Sequence, residues 1–434
     1  MKKIIAVLLA ALMLVAAFAG CAKEEPAQPT ETQATETQAT EPTEPEKIDV
    51  EMWCIATESD SNRHSYEAAI ADLQAAHPEI NFTWEATENQ AYKTKIKAAV
   101  SANEMPDIFF TWSCAFLGDF VKAGRVYCMD EVYSKYASQL PEVMMGNVTY
   151  DGKRYGVPLT MNIVGLFANM DLLKEVGYDA VPGTYEEFIA CCDALKAKGI
   201  MPFGCAGKET WCVTEYLESV IEKTAGAKVL NEIFAGTASW NNADVKTAVD
   251  TFQGMVNNGY FDPDGMALSN DEVKANFIAG KYAFYMNGTW NCADFAATEG
   301  LNVQVAEFPV INATNSKLGE LIGGPSDTLA VAASSENAAV VADLCMELGR
   351  GICKYGYLDG CGLPAWTPDY DTSSINPLTN AVSDICAKAQ TYVLFGDTAM
   401  SADTANVYLD YVAQIYGGAI DGQGFVDGLT ADIG

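Results

Sequence analysis

Between Ile48 and Trp112 the chain alternates between two hydrophobic periods, and nothing else constrains its fold so tightly. IDVEMWCIA (48–56) alternates apolar and polar residues and is rich in strand formers, which predicts a strand. SYEAAIADLQAAHPE spaces its apolar residues at helical intervals and stops at Pro78. INFTWEAT predicts a second strand, YKTKIKAAVSANE a helix, and PDIFFTW a short apolar strand ending in Trp112. Strand–helix–strand–helix–strand predicts an α/β fold with a parallel sheet under covering helices. Ligands of such sheets sit beyond the carboxyl ends of the strands. The loop Thr57–Arg63 and the Trp112–Ser113 corner therefore fall at the rim of a predicted site.

From Ile48 to Gly434 there are about 390 residues, more than one core usually organises, so two lobes or more are expected. The formal net charge is −32, and it falls to −34 if Lys2 and Lys3 leave with a leader. Such a surface repels phosphate and argues against nucleic acid as a partner. Arg63, Arg125, Arg154 and Arg350 are the four arginines, with no cluster among them, so a neutral or cationic ligand is favoured over an anionic one. His64 and His77 are too few for a His-rich metal site, and no CxxC spacing occurs. Neither a metal nor another cofactor is expected. Cys54, Cys191, Cys192 and Cys345 sit in apolar stretches, and most of the cysteines read as buried free thiols. This would suit an anaerobic habitat.

The start of the chain carries its own signal. Lys2 and Lys3 precede an uncharged apolar run, Ile4 to Ala19, too short to span a bilayer but ordered like an export leader. Phe18-Ala19-Gly20-Cys21 resembles a bacterial lipobox, with Phe in place of the usual Leu. That resemblance implies a signal peptide over 1–20 and lipidation of Cys21. Residues 22–47 contain no aromatic residue and none of Leu, Ile, Val or Met, and they repeat TETQA at Thr30–Ala34 and Thr35–Ala39. With nothing to bury, residues 21–47 are expected to be a disordered acidic tether.

Seven stretches in order then carry a family resemblance. They are AHPEINFTW, MPDIFF, FVKAGRVYCMDE, the long YGVPLTMNIVGLFANMDLLKEVGYDAVPGTYEEFIACCDALKAKGI, FIAGKYAFYMNGTW, GGPSDTLAVAASSENAAVVADLCMEL and GAIDGQGFVDGLTADI. Together they resemble the extracellular solute-binding proteins of carbohydrate ABC importers, the group that includes maltose-binding protein, over about residues 49–434. The resemblance implies a two-lobe fold of the periplasmic-binding-protein type II kind, with a hinge and an interlobe cleft. The N-terminal lobe would take 48–158 and 325–372, and the C-terminal lobe 159–324 and 373–434. Crossings are expected near Val157–Asn162, Gly323–Asp327 and Thr372–Asn376, with Gly323-Gly324-Pro325 as a hinge strand.

A sugar offers an apolar face to aromatic planes and hydroxyls to carboxylates and amides. Trp290 matches the family's G-x-W, whose Trp stacks on sugar, and Trp112 ends the PDI strand; a core role is the alternative for both. GKETWC resembles the family's Glu-x-aromatic contact, giving Glu209 and Trp211, against a chance loop. Asn162 stands where the relative has a ligand-contacting carboxylate, which implies a different hydroxyl pattern. Glu58, Asp60 and Asn62 lie in the first loop and either accept hydroxyls or merely cap the next helix. Asp327 and Trp366 complete the candidates, while Trp84 and Trp240 read as structural. DPDGMALSNDE (262–272) lacks the EF-hand spacing and reads as a turn between helices rather than a calcium loop.

The function expected is that of a lipid-anchored, monomeric binding component on the outer face of a Gram-positive-type cytoplasmic membrane. It would hand a carbohydrate, an oligosaccharide, to ABC transporter permease subunits without catalysis. Its rivals are a binding protein for a cationic solute such as a polyamine, and a glycoside hydrolase, which would need two facing carboxylates.

Overall fold

The expected alternation is present in the computed structural model, which describes residues 47–434. Strand β1 (Ile48–Cys54), a helix Arg63–Ala76, β2 (Ile80–Ala86), a helix Asn89–Ala102 and β3 (Ile108–Trp112) follow one another. β1 pairs in parallel with both β2 and β3. The first helix buries Tyr66, Ala69, Ile70 and Leu73, one stripe at helical spacing, against the sheet side. The second begins at Glu88, whose carboxylate accepts from the Gln90 and Ala91 amides and so satisfies donors that the first turn leaves free. The leader, Cys21 and all but the last residue of the acidic segment lie outside the described residues.

A hairpin of β4 (Thr149–Tyr150) and β5 (Lys153–Arg154) leads into β6 (Val157–Pro158) and the long β7 (Thr160–Asn169). Then come β8 (Met201–Gly204), β9 (Tyr282–Gly288), β10 (Val303–Ala306), β11 (Glu320–Gly324), β12 (Asp327–Val331), β13 (Leu363–Pro364) and β14 (Thr391–Val393). They make two main sheets. The first runs β2-β1-β3-β12-β6, and the second runs β14-β11-β7-β9-β8 with β10 and β13 also paired to β7. One large core, with Met52, Phe109, Leu329 and Ile352, lies around the first sheet. Another, with Leu166, Phe203, Phe252 and Tyr408, lies around the second, beside a smaller cluster that includes Phe167, Phe277 and Phe295.

The chain passes between the sheets at Leu159, between β6 and β7, and again at Pro325-Ser326, between β11 and β12. The third passage is drawn out. The helix Ala338–Asp359 packs on Arg63–Ala76, β13 then pairs with β7 at Met161 and Thr160, Ala365 and Trp366 return to the first core, and the helix Pro377–Cys386 packs on β10. Contact with the second sheet thus begins before Thr372, ahead of the expected crossing.

Gly323 and Gly324 have φ of 129° and 146°, in the region that favours glycine, where they pair with Ile163 and Asn162 of β7. A Cβ on Gly323 would stand 2.3 Å from the Asn162 carbonyl oxygen, so no larger residue fits this close crossing of strands.

The helix Thr210–Ala225 is enclosed: every residue from Cys212 to Ala225 is buried, under the helices Ala243–Asn257 and Ala402–Tyr416. All twelve described cysteines are free thiols, nine of them buried. Burial pushes their thiols up, to about 12 at Cys54 and about 11 at Cys353. In the 262–272 turn, Asp262 is ion-paired with Lys281 at 2.8 Å and Glu272 closes a capping box with Ser269. Among the described residues no helix is long and apolar enough to cross a membrane.

Candidate functional site

The carboxyl ends of β1, β2 and β3 open onto a cavity of about 520 Å³ between the two sheets, within the roughly 300–1,000 Å³ of small-molecule sites. The first-sheet side contributes residues of the loop Ile55–Asn62, the helix start Glu88–Lys93, Trp112, Ser326 and Asp327. The second-sheet side contributes residues of Lys208–Glu215 and Ser269–Asp271, together with Trp290 and residues of Phe395–Thr398.

Three aromatic rings line the second side. Trp290 lies 6.1 Å from Trp211 and 6.3 Å from Phe395, centroid to centroid. Trp290 sits in the single turn Thr289–Asn291 that ends β9, and its ring folds back onto Gly288. A Cβ at Gly288 would meet that ring at 2.1 Å, so the glycine of G-x-W exists to let the tryptophan lie across the strand end. Opposite, Trp112 is packed edge-on against Phe110 at 5.0 Å and Phe116 at 5.1 Å, and is only 7% exposed. It is both core and cavity wall. The Lys93 ammonium lies 4.8 Å above its ring and 2.8 Å from Asp397 of the second side.

Carboxyl groups dominate the polar lining. Asp60 accepts from the Asn62 amide at 2.8 Å, and its carboxyl is raised above the usual range, chiefly by desolvation. Burial, with the Asp60 carboxylate beside it, pushes Asp327 up to about 7. Glu209 accepts from the Asn270 amide, which joins the helix start at Thr210 to the Ser269–Asp271 turn. Burial raises its carboxyl too. Several buried polar atoms of the lining have no hydrogen-bond partner among the described residues: Trp211 Nε1, Asn89 Oδ1, Ser326 Oγ and both carboxyl oxygens of Glu215.

Polar contacts bridge the two sides. Besides Lys93–Asp397, Ser61 Oγ donates to Asp294 at 2.7 Å, and Lys274 donates to the same carboxylate at 2.8 Å and to the Ser59 carbonyl at 3.3 Å.

The structure brings seven candidates to this cavity: Trp290, Trp112, Trp211, Glu209, Asp60, Asn62 and Asp327. Three lie elsewhere. Glu58 is exposed beside Arg63, with which it pairs at 3.3 Å. Asn162 is buried, accepting from Thr289 Oγ1 at 3.0 Å and donating to the Cys361 carbonyl at 3.3 Å; its amide ties β7 to the neighbouring turns. Trp366 is 4% exposed in the first core, with its indole N–H on the Pro158 carbonyl at 2.9 Å. Lys93, Asn89, Asn270, Phe395 and Glu215 line the cavity without having been expected there. For Asn89 and Lys93 a signal existed, because the turn after β2 also lies at a strand's carboxyl end.

Fold and cleft define a two-lobe α/β protein built to hold a small molecule between two sheets. The chain belongs to the bacterial extracellular solute-binding protein family, whose model matches residues 59–344. It is 25% identical over 251 residues to the multiple sugar-binding protein of Streptococcus mutans, a match covering 56% of this chain and 58% of that one. The chain thus spans little more than half the length of that relative. A probable sugar-binding periplasmic protein of Mesorhizobium japonicum is 24% identical over 373 residues, 81% of this chain and 86% of that one. A solved structure from work on xylan utilisation by Caldanaerobius polysaccharolyticus is 32% identical, with a TM-score of 0.85, covering 89% of this chain and 100% of the other.

Proposed function

We propose that this protein captures a carbohydrate outside the cell and delivers it to the permease of an ABC importer. The observation that carries the reading is the pairing, in one cavity, of an aromatic wall with buried polar atoms that the protein leaves unpartnered. A pyranose supplies C–H faces for the first and hydroxyls, each both donor and acceptor, for the second. The names of the Streptococcus and Mesorhizobium relatives point the same way. On this reading the lobes are 48–158 with 325–372 and 159–324 with 373–434, and ligand selects their closed arrangement. Cys21 carries lipid and holds a monomer on the outer face of a Gram-positive-type membrane. The chemistry is capture, not turnover.

A thermal-shift screen of residues 47–434 against xylotriose, chitotriose, raffinose and galactose, with spermidine as a control, tests it. A sugar at about 100 times its dissociation constant should add about 2.7 kcal/mol of stability. The cavity lining holds seven carboxyl side chains against two lysines, which favours a cationic solute as the second reading. A shift with spermidine alone, weakened by salt, would establish that reading in place of the first.

A further inference from the structure

We propose that Glu215 selects the ligand: its carboxyl, in the cavity wall one helical turn from Trp211, hydrogen-bonds a polar group of the bound molecule. The proposal rests on reading the cleft as a ligand site and adds the group that completes it. The helix Thr210–Ala225 carries three buried glutamates, and two are satisfied within the protein. Glu218 accepts from the Gly396 amide at 3.2 Å and from Tyr408 Oη at 3.0 Å. Glu222 accepts from Ser316 Oγ at 3.0 Å and lies 3.1 Å from the Lys223 ammonium. Glu215 is 1% exposed, and neither of its oxygens has a well-formed hydrogen bond among the described residues, the Gly288 backbone amide being the one donor near enough to lower its carboxyl. It is also the one of the three that lines the cavity. A buried carboxyl left alone is costly, and spacing of i and i+4 puts Trp211 and Glu215 on one helix face. A ligand resting on Trp211 therefore meets Glu215.

Its surroundings set the form in which it acts. Glu218, Cys212 and Tyr216 approach from its own helix, Asp397 from the segment after β14, Cys205 from the end of β8 and Tyr285 from β9. The Lys93 ammonium lies against Asp397. Burial, then Glu218 and Asp397, raise the Glu215 carboxyl well above its ordinary range. The neutral acid offers one O–H donor and one C=O acceptor, the complement of a sugar hydroxyl. Raising the pH removes the donor and places a charge under the ligand.

The test is calorimetric titration of wild type, Glu215→Gln and Glu215→Leu with xylotriose, raffinose and spermidine, from about pH 6 to about pH 9. Gln keeps a donor and an acceptor, so its sugar affinity should stay within about threefold of wild type; Leu should lose at least about tenfold. Toward alkaline pH wild-type affinity should weaken more steeply than that of Glu215→Gln, in which the other raised carboxyls of the lining, Asp327 among them, still titrate. Leu binding as well as wild type, or parallel pH profiles for wild type and Gln, overturns the proposal. If Glu215→Leu does not fold, the Gln profile decides alone. Binding of spermidine only, lost in both variants, would sink the carbohydrate reading yet keep Glu215 as the contact. Wild type binding none of the three overturns both.

Discussion

The first-sheet face of the cleft is made of strand ends and short loops, whereas the second-sheet face is made of a helix start and a single turn that present large rings. Asp60, Asn89, Ser326 and Asp327 give the first face its polar groups, and Trp211, Trp290 and Phe395 give the second its planes. Trp112 is the exception on the first face, a ring bound into its own core as Phe395 is on the second, whereas Trp211 and Trp290 are only partly buried. On the proposed reading the labour is divided: the first face would take hydroxyls with groups set on strand ends, and the second would supply apolar surface from elements added to its sheet. On that reading a ligand held by both faces would make binding and closure one event.

Shortening a tryptophan on each face should have the largest effects. Trp112→Ala should cost about 3–5 kcal/mol of stability, because it empties a packed core as well as the cavity wall. Urea denaturation measures this, and a cost near zero would place Trp112 with the second face. Trp290→Ala should weaken sugar binding by about 2 kcal/mol or more, roughly thirtyfold, while moving the urea midpoint far less than Trp112→Ala does. Equal stability losses for the two would erase the distinction between the faces.

Asp327 probes the polar face more gently. Its carboxyl is raised to about 7 in the fold, against an ordinary value near 4. The neutral form is therefore the stabilising one: its contribution is complete below about pH 4 and is lost as the pH rises to about 7. Asp327→Asn should match wild type at pH 4 and exceed it above pH 7 by roughly 1–2 kcal/mol, allowing for solvent screening. A constant offset across that window would mean that no proton is involved. Glu58→Ala marks the lower bound: an exposed ion pair with Arg63, off the cavity, should change neither binding nor stability by more than about 0.5 kcal/mol.

The first sheet was readable because each strand and helix announces its own period, and the rim followed from the strand ends. Gly323-Gly324-Pro325 was readable because unusual backbone needs glycine. The helix Thr210–Ala225 misleads by the same logic: Glu215, Glu218 and Glu222 at spacings of three and four look like a solvated stripe. They are buried by segments far along the chain, Glu215 by the ends of β8 and β9 and by Asp397, Glu218 by Gly396 and Tyr408, and Glu222 by Ser316, long-range contacts with no local trace. Asn162 and Trp366 failed for a related reason. Each completes hydrogen bonds between segments far apart in the chain, so its polar atoms answer to the interior rather than to a ligand. Cys21 and the tether fall outside the described residues, and their roles rest on the sequence and on the proposal.

The twelve thiols impose a one-way valve on the life of this protein. Folded, nine of the twelve are buried and all have their acidity suppressed, so exchange has little thiolate to start from. Unfolded in an oxidising medium, each regains an ordinary acidity and has eleven others to join, every such pair being foreign to the fold described here. Every excursion out of the native state there is then a chance of permanent loss, so lifetime outside the cell is governed by how rarely the chain opens rather than by how well it refolds.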